Sequence, residues 1–403
     1  MVTLSFDVGS SNCSIGYYDS SLPTMVSSGY NSHDIQSNIF LLNDKRIVGE
    51  SIEKEVFANN IGNCISLFKH LLSRDINDSE VTKMKKFIPC EIIEEADNKI
   101  GFIIKYKNET IILSCEQILA TMYNHLFKCS PLQLPRNVIL TCPAFFTSSQ
   151  RQAMLDASMI AEFKCEKILN ESTAILSYYS LTNRDNDEVY STILFINIGC
   201  TSGEVNLFSI KKEVCILLGS KHSLSLGGLF FDNIICKYFA KQIKSKFSKD
   251  IYEDKKSYLQ LLHDCEIIKK RISGTTSDIA CVFRNIANIS EFKLSINRRT
   301  FEKLAREQFS ILYVMIRTVL REAAFDSLKL EKIVLTGGSC KIPKIKEMLS
   351  NIFANATVDL IHQKHAVALG AVYFASSNLK VEIKNSIQIE GCIYGKMGKL
   401  NIG

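Results

Sequence analysis

The sequence predicts a two-lobed α/β protein with an internal duplication, because one strand–turn–strand pattern occurs twice. Residues 4–18 and 194–208 each read as an apolar strand, then Asp or Asn, an apolar residue and Gly, small polar residues, and a second strand. The two copies begin 190 positions apart, and no repeat with the roughly 20 to 50 residue period of solenoids or propellers is visible. Strand-like and helix-like segments alternate between and after the copies, which is typical of α/β proteins.

The size and composition fit this fold class. With 403 residues, the chain should hold two or three domains at roughly 150 residues each. Hydrophobic residues make up 46% and charged residues 22%, which is typical of globular proteins and argues against disorder. The net charge of +6 is small and dispersed, so no nucleic-acid site is predicted. No apolar run approaches the ~18 residues that a membrane span needs.

The cysteines favour a reducing compartment. The chain has 14 of them, and none stands closer than 13 positions to the next, so there is no C-x-x-C zinc or redox pair. A strand-like run begins at Val2, where a signal peptide would need a basic and then an apolar region. We therefore expect free, mostly buried thiols and a cytoplasmic location.

The duplicated hairpin has the chemistry of a phosphate site. Gly9 and Gly199 allow the backbone to approach a ligand closely. Hydroxyl side chains and successive N–H groups follow each glycine and can form an anion-binding concavity; the hydroxyls belong to Ser10, Ser11, Thr201 and Ser202. Asp7, at the end of the first strand, could hold Mg²⁺ through its waters. A plain glycine-turn hairpin is the alternative for either copy alone, and the occurrence of two copies favours phosphate.

Local signals place the elements between the copies. Residues 101–113 alternate apolar and polar on both sides of residues 107–109, which predicts a hairpin. A strand over residues 138–142 precedes the capping box Thr147-x-x-Gln150, which predicts a helix start.

After the second copy, apolar residues at helical spacing predict three helices, over about residues 234–243, 261–272 and 300–324. The loop Leu226-Gly227-Gly228 is a further place of close backbone approach. A strand over residues 332–336 runs into Gly337-Gly338-Ser339 ahead of a helix that begins near Pro343. Such a junction presents N–H groups to a ligand.

These residues resemble the ATPase domain of the heat-shock protein 70 (Hsp70) chaperones, which has the actin-like ATPase fold. The resemblance covers about residues 2–381, and seven motifs occur in the family's order. They are Asp7 to Asn12; residues 142–146 with 150–153; Asn170-Glu171-Ser172-Thr173-Ala174; the second hairpin; Leu226-Gly227-Gly228; Cys265-Glu266-x-x-Lys269-Lys270; and residues 337–344. Two duplicated lobes with a nucleotide cleft between them are the implied architecture.

The resemblance implies ATP or ADP with Mg²⁺ as ligands and assigns a role to each matching position. Lys69 aligns with the family's catalytic lysine, and Glu171 aligns with the carboxylate that orients the attacking water. The remaining nucleotide positions fall in three groups: phosphate (Gly9, Ser10, Ser11, Asn12, Gly199, Cys200, Thr201, Gly227, Gly228), ribose and adenine (Glu266, Lys269, Ser273), and the lid over adenosine (Gly337, Gly338, Ser339, Lys341). Lys341 stands where the family usually has Arg, and Lys lacks the planar stacking group.

Departures from the family pattern decide the functional expectation. The second hairpin normally reads Asp-Leu-Gly-Gly-Gly-Thr-Phe-Asp, and here Asn197 replaces the first Asp. One charge that faces Mg²⁺ is lost, and fixed charges of this kind are central to phosphoryl transfer. Cys200 and Thr201 replace two glycines and crowd the phosphate, and Ser172 replaces a proline linked to interdomain switching. We expect that binding survives and hydrolysis suffers.

Several of these departures resemble the heat-shock protein 110 (Hsp110) branch, whose members act as nucleotide-exchange factors. The first expectation is therefore an ATP-binding exchange factor whose partner is an Hsp70 chaperone. A slow chaperone ATPase is the second, and a non-catalytic scaffold on the ribosome is the third. Actin and sugar kinases share the double hairpin, but no general-base Asp for a kinase is recognisable in the sequence.

By resemblance, the first lobe spans residues 1–187 with a smaller subdomain near 33–112. The second lobe spans 188–381 with a smaller subdomain near 225–303, and residues 382–403 form a tail. The 22 residues after Val381 are too few for a β-sandwich substrate domain of ~100 residues. We therefore do not expect this chain to bind unfolded polypeptide in the way that these chaperones usually do. His362 and His365 are expected to be solvated near a helix start.

Overall fold

A computed structural model describes residues 3–18, 23–26, 35–42, 45–51, 54–107, 109–130, 137–183, 191–361, 365–377 and 379–384. The strands of the first half of the chain are β1 (Thr3–Val8), β2 (Asn12–Tyr18), β3 (Thr24–Met25), β4 (Ile35–Gln36), β5 (Asn38–Leu41), β6 (Arg46–Val48), β7 (Cys64–Ser66), β8 (Glu91–Glu94), β9 (Ile100–Tyr106), β10 (Glu109–Ser114), β11 (Asn137–Cys142) and β12 (Lys164–Asn170). Its helices are α1 (Lys54–Asn59), α2 (Ser79–Met84), α3 (Cys115–Cys129), α4 (Ser148–Ile160) and α5 (Glu171–Thr182).

The second half repeats the alternation of strands and helices. Its strands are β13 (Ser191–Ile198), β14 (Gly203–Lys211), β15 (Val214–Ser223), β16 (Ile279–Ile286), β17 (Ile289–Ile296), β18 (Lys332–Thr336), β19 (Thr357–Leu360) and β20 (Lys380–Ile383). Its helices are α6 (Gly228–Phe247), α7 (Lys255–Gly274), α8 (Arg298–Leu304), α9 (Arg306–Glu322), α10 (Pro343–Ile352) and α11 (Ala366–Ser376).

Two large sheets have the same strand order, which is the duplication that the sequence predicts. The first runs β12-β11-β1-β2-β3, with β4 also paired to β2, and the second runs β19-β18-β13-β14-β15-β20. In each sheet the hairpin strands pair antiparallel, and the first hairpin strand pairs in parallel with its other neighbour. The turn of each hairpin therefore lies at the same edge of its sheet as the carboxyl ends of the parallel strands.

Within the described residues, three smaller sheets accompany the two large ones, with the orders β10-β9-β8, β6-β5-β7 and β16-β17. The predicted hairpin over residues 101–113 is β9 with β10, paired from Gly101–Ser114 to Tyr106–Glu109. Asn108, in its turn, lies outside the described residues.

Helix α11 lies in the chain between β19 and β20 of the second large sheet but packs on the first. Ser5 donates from its hydroxyl to the Ala368 carbonyl at 2.7 Å. A Cβ at Gly370 would lie 1.8 Å from the Ala174 carbonyl oxygen, on α5. Only glycine allows α11 and α5 to approach this closely, so the two lobes are joined through a tight helix pair.

Most local predictions are confirmed, and one helix is different. The Thr147–Gln150 capping box forms at the start of α4 with both of its hydrogen bonds, and Pro343 opens α10. The helix expected over residues 300–324 is two helices, because ψ of Ala305 is 10° and interrupts the helical backbone between α8 and α9. No helix within the described residues is long and apolar enough to cross a lipid bilayer.

Candidate functional site

The two hairpin turns have the same backbone hydrogen bond. The N–H of Gly9 donates to the Asn12 carbonyl at 3.0 Å, and the N–H of Gly199 donates to the Ser202 carbonyl at 2.9 Å. A Cβ at Gly9 would lie 2.6 Å from the Asn12 carbonyl oxygen, so this turn requires glycine. The duplicated sequence pattern is therefore also a duplicated turn.

The side chains of the two hairpins meet across the cleft. The Thr201 hydroxyl donates to Ser10 Oγ at 2.8 Å, and it also contacts His70 Nε2. Thr201 is only 2% exposed. Burial lowers the pKa of His70 to about 3, so its imidazole is neutral at neutral pH. The hydroxyls that the sequence assigns to phosphate thus hydrogen-bond to each other, with Thr201 between Ser10 and His70.

The buried Lys69 and the half-buried Glu171 form an ion pair beside the first hairpin. Lys69 Nζ lies 2.8 Å from Glu171 Oε1, although the two residues are 102 positions apart in the sequence. Burial alone would lower the pKa of Lys69, but the negative charges of Glu171 and Asp7 raise it overall. Lys69 therefore keeps its positive charge in the cleft.

Asp7 lies in the same polar cluster and is half-buried at the end of β1. Its Oδ1 accepts a hydrogen bond from the Thr141 hydroxyl at 2.8 Å. Burial first, and then repulsion from Glu171, raise the pKa of Asp7 to about 6. A cation bound here would relieve that unfavourable burial of charge.

Glu204 is a buried carboxylate that the sequence analysis did not assign. The Ala144 N–H donates to its Oε1 at 3.0 Å, while Oε2 has no hydrogen-bond partner within the described residues. Burial and the nearby charge of Glu171 raise the pKa of Glu204 to about 7. The signal that could have found it is its position in the second hairpin, where the family motif ends in Asp.

Asn197 lies where β13 and β18 end side by side. Gly337 follows β18 with φ of +84°, and a Cβ there would lie 2.7 Å from Asn197 Oδ1 and 2.4 Å from the Ile198 carbonyl oxygen. Gly337 is therefore required by both its backbone conformation and its neighbours. The predicted positions Asn197 and Gly337 are brought together.

The remaining glycine loops close on the second hairpin. The N–H of Gly228 and the hydroxyl of Ser339 both donate to the Gly199 carbonyl at 2.9 Å. A Cβ at Gly227 would lie 2.5 Å from the Cys200 carbonyl oxygen. Five predicted nucleotide positions thus form one continuous set of contacts.

The residues expected around ribose and adenine differ in their contacts, and not all of them join the glycine loops. Lys269 is buried, and its Nζ lies 2.8 Å from Asp232 Oδ1 and donates to the Gly228 carbonyl at 3.0 Å. Glu266 pairs with Lys270 along the same helix at 2.8 Å. Ser273 and Lys341 complete this set: the Ser273 hydroxyl donates to the Lys269 carbonyl at 2.9 Å, and Lys341 is exposed. Lys269 therefore joins the glycine loops, and Lys341 is not drawn into this network.

Aromatic rings bridge the two smaller parts of the lobes. The ring centroid of Phe87 lies 6.2 Å from that of Phe230 and 6.5 Å from that of Tyr258. Phe57 similarly lies 5.6 Å from the ring of His263. These contacts hold α6 and α7 of the second lobe against the first lobe.

The residues present fit a magnesium nucleotide in their chemistry. The unpartnered Oε2 of Glu204, the half-buried Asp7 and the glycines that cannot carry a Cβ are the features of a polar cradle for phosphate and its cation. No group of three His, Cys, Asp or Glu among the described residues is arranged to ligate a metal directly. Asp7 and Glu204 would therefore hold Mg²⁺ through its waters.

Comparison with known proteins points to one family. The family model described as Hsp70 protein matches residues 3–381. "Heat shock protein 110" of Caenorhabditis elegans is 28% identical over 380 residues, covering 92% of this chain and 49% of that protein. "Heat shock cognate 70 kDa protein 3" of Dictyostelium discoideum is 27% identical, covering 93% of this chain and 60% of that protein. The "97 kDa heat shock protein" of Strongylocentrotus purpuratus is 25% identical, covering 92% and 42%. The chain spans 42% to 60% of the length of these relatives.

Proposed function

The chain belongs to the Hsp70 protein family, with that family's actin-like ATPase fold, and from this premise we propose that it is a nucleotide-exchange factor. It binds ATP with Mg²⁺, hydrolyses it slowly or not at all, and accelerates nucleotide release from an Hsp70 chaperone. Similarity to relatives named heat shock protein 110 and 97 kDa heat shock protein supports this choice.

The observation that carries the proposal is the contrast between the two sides of the cleft. The first side keeps the Lys69–Glu171 ion pair and Asp7. The second side has the neutral Asn197 and the Thr201 hydroxyl bonded to Ser10. A site of this kind can bind nucleotide through its cradle, but it has lost a charge that would stabilise the transition state.

Each residue has a definable part in binding. Glycines 9, 199 and 337 bring backbone N–H groups near the ligand, and Lys69 offers its positive charge to the phosphates. For Ser10 to turn its hydroxyl toward a phosphate oxygen, the hydrogen bond that Thr201 donates to it must open. The bound magnesium nucleotide supplies the cation that neutralises the phosphate charge. Binding stabilises the closed lobes by mass action, so ATP serves as a structural ligand.

The test is the release of labelled ADP from an Hsp70 chaperone, with and without this protein preloaded with ATP. We expect faster release. The Gly227→Ala variant should lose this effect because its Cβ would lie 2.5 Å from the Cys200 carbonyl oxygen. Gly62→Ala is the matched control, since no atom lies within 4 Å of a Cβ there. Unchanged release with ATP-loaded protein would refute the exchange role.

A slow ATPase is the second candidate, and the intact Lys69–Glu171 pair favours it. Steady-state hydrolysis that disappears in Glu171→Gln would support it. Asn197→Asp restores the missing charge and should raise hydrolysis on the order of 10²-fold. An unchanged rate would show that this charge is not what limits hydrolysis. Association with ribosomes stays a prediction from the sequence, and co-sedimentation tests it.

A further inference from the structure

A groove on the first lobe lies apart from the nucleotide residues. It has a volume of about 620 Å³ and runs between the β8-β9-β10 sheet and the C-terminal part of α4. None of the residues that line it belongs to the nucleotide site described above. Its volume is within the roughly 300 to 1,000 Å³ of protein binding pockets.

Gly101 on β9 lies beside the groove, beneath two of the residues that line it. Gly101 pairs with Ser114 on one side and with Ile93 on the other. A Cβ at Gly101 would lie 2.7 Å from Ile112 Cγ2 and 2.8 Å from Glu95 Cγ, so any larger residue would displace both side chains. The glycine therefore allows the Ile112 and Glu95 side chains to pack directly on the β9 backbone at the edge of the groove.

Two large apolar side chains at the groove are exposed. Ile112 on β10 is 46% exposed and Ile160 at the end of α4 is 54% exposed. Met159, next to Ile160, is 65% exposed. Exposed apolar residues grouped around a concave surface are typical of interaction sites, whereas isolated ones are ordinary.

The rim of the groove is acidic. Four carboxylates line it, from Glu94, Glu95, Glu116 and Asp156, against the single cation of Lys99. The chain as a whole has a net charge of +6, so this surface has the opposite sign to the rest of the molecule. Charge of one sign around exposed apolar side chains selects partners of the other sign and speeds their encounter.

We propose that this groove binds a basic, leucine- or isoleucine-bearing segment of another polypeptide. Its apolar side chains pack on Ile112 and Ile160, and its Lys or Arg side chains face Glu95, Glu116 and the other rim carboxylates. Apolar anchors at the centre of a contact with a polar rim are the usual anatomy of protein recognition. The surface is independent of nucleotide binding and of the exchange role.

The test uses a fluorescein-labelled 14-residue peptide of Leu and Lys, and its isomer with Glu in place of Lys, in fluorescence anisotropy. We expect the Lys peptide to bind more weakly as salt rises, and the Glu peptide to bind at least roughly tenfold more weakly. The double variants Ile112→Thr/Ile160→Ser and Glu95→Gln/Glu116→Gln should each weaken the Lys peptide by roughly tenfold.

Matched controls lie on the second lobe. Val314 is 59% exposed on α9 and Glu253 is exposed, so Val314→Thr and Glu253→Gln make the same kinds of change away from the groove and should leave binding unchanged. Equal binding of both peptides, or equal losses in the control variants, would overturn the proposal. Self-association of the protein that is lost in Ile112→Thr/Ile160→Ser would also overturn it, in favour of a second copy of the chain. Unfolding curves of all variants show whether each is folded.

Discussion

Replacement of Thr201 by glycine tests whether the contact across the cleft restricts nucleotide binding. In the structure, the Thr201 hydroxyl donates to Ser10 at 2.8 Å and contacts His70, and the residue is 2% exposed. Thr201→Gly removes both contacts and the side chain that lies between the hairpins. It also restores the glycine that the family has at this position.

The structure predicts opposite effects on the free protein and on its affinity for ATP. Without nucleotide, two buried hydrogen bonds are lost at about 1 kcal/mol each, and the glycine adds roughly 0.5 to 1 kcal/mol of backbone entropy to the unfolded chain. The free energy of unfolding should therefore fall by about 2 to 3 kcal/mol. With ATP, the wild type must open both contacts of Thr201 at about 1 kcal/mol each, a cost that the variant does not have. This corresponds to an affinity at least about tenfold higher.

The assay is titration calorimetry with ATP and Mg²⁺, together with urea unfolding in the presence and absence of nucleotide. Thr201→Ser keeps the hydroxyl and should resemble the wild type in both measurements. Cys200→Gly is a second control in the same turn. Cys200 packs against the core, so its loss should lower stability without a gain in affinity.

Unchanged or weaker ATP binding by Thr201→Gly would refute the reasoning, provided that Thr201→Ser matches the wild type. That result would mean that the Thr201–Ser10 contact opens without a measurable cost when nucleotide binds. A gain in affinity that Cys200→Gly shares would assign the effect to flexibility of the turn.

Three further predictions follow from single contacts. His70 has a pKa of about 3 when folded and 6.5 in its ordinary state, so its unfolded form binds protons first as pH falls. Lowering the pH from 7.5 to 5 should reduce the stability of the wild type relative to His70→Gln by about 2 kcal/mol in urea unfolding, and a constant difference would contradict this. Gly337→Ala should lower the free energy of unfolding by about 2 kcal/mol because φ is +84° and the Cβ has no space. Gly338→Ala, where the space is open, should be nearly neutral, and equal losses would contradict the strain argument. Phe87→Ala removes the ring contacts with the second lobe. It should speed the release of labelled ADP from this protein's own cleft several-fold in stopped-flow. Phe247→Ala, whose ring packs on Phe292 within the second lobe, should leave release unchanged.

The sequence predicted the parts of the fold that depend on neighbouring residues. The capping box at Thr147, the hairpin of β9 with β10 and the glycine turns each rest on a few consecutive positions, and the structure contains them. The resemblance assigns Lys69 and Glu171 to the same site, and the structure pairs them; their catalytic roles stay predictions. The proposed lobe boundaries stay predictions.

The contacts that the sequence missed join distant segments. Thr201 meets Ser10 across 191 positions and His70 across 131 positions, and nothing local to either residue indicates the partner. His365 was expected to be solvated, which is wrong. It is buried, and its Nδ1 lies 2.9 Å from the Ser14 hydroxyl, 351 positions away, because α11 returns to pack on the first lobe. His362 lies outside the described residues.

The free cysteines provide a natural set of chemical probes. Thirteen free thiols lie within the described residues, and burial raises the pKa of Cys13, Cys142 and Cys340 to about 12 each. At neutral pH these thiols are protonated and shielded, so an alkylating reagent can modify them only after local opening. Cys13 and Cys142 lie in strands of the first large sheet, and Cys340 follows the second-lobe junction at Ser339. Their modification rates, measured by mass spectrometry, would therefore report the opening of each lobe separately, without any engineered label.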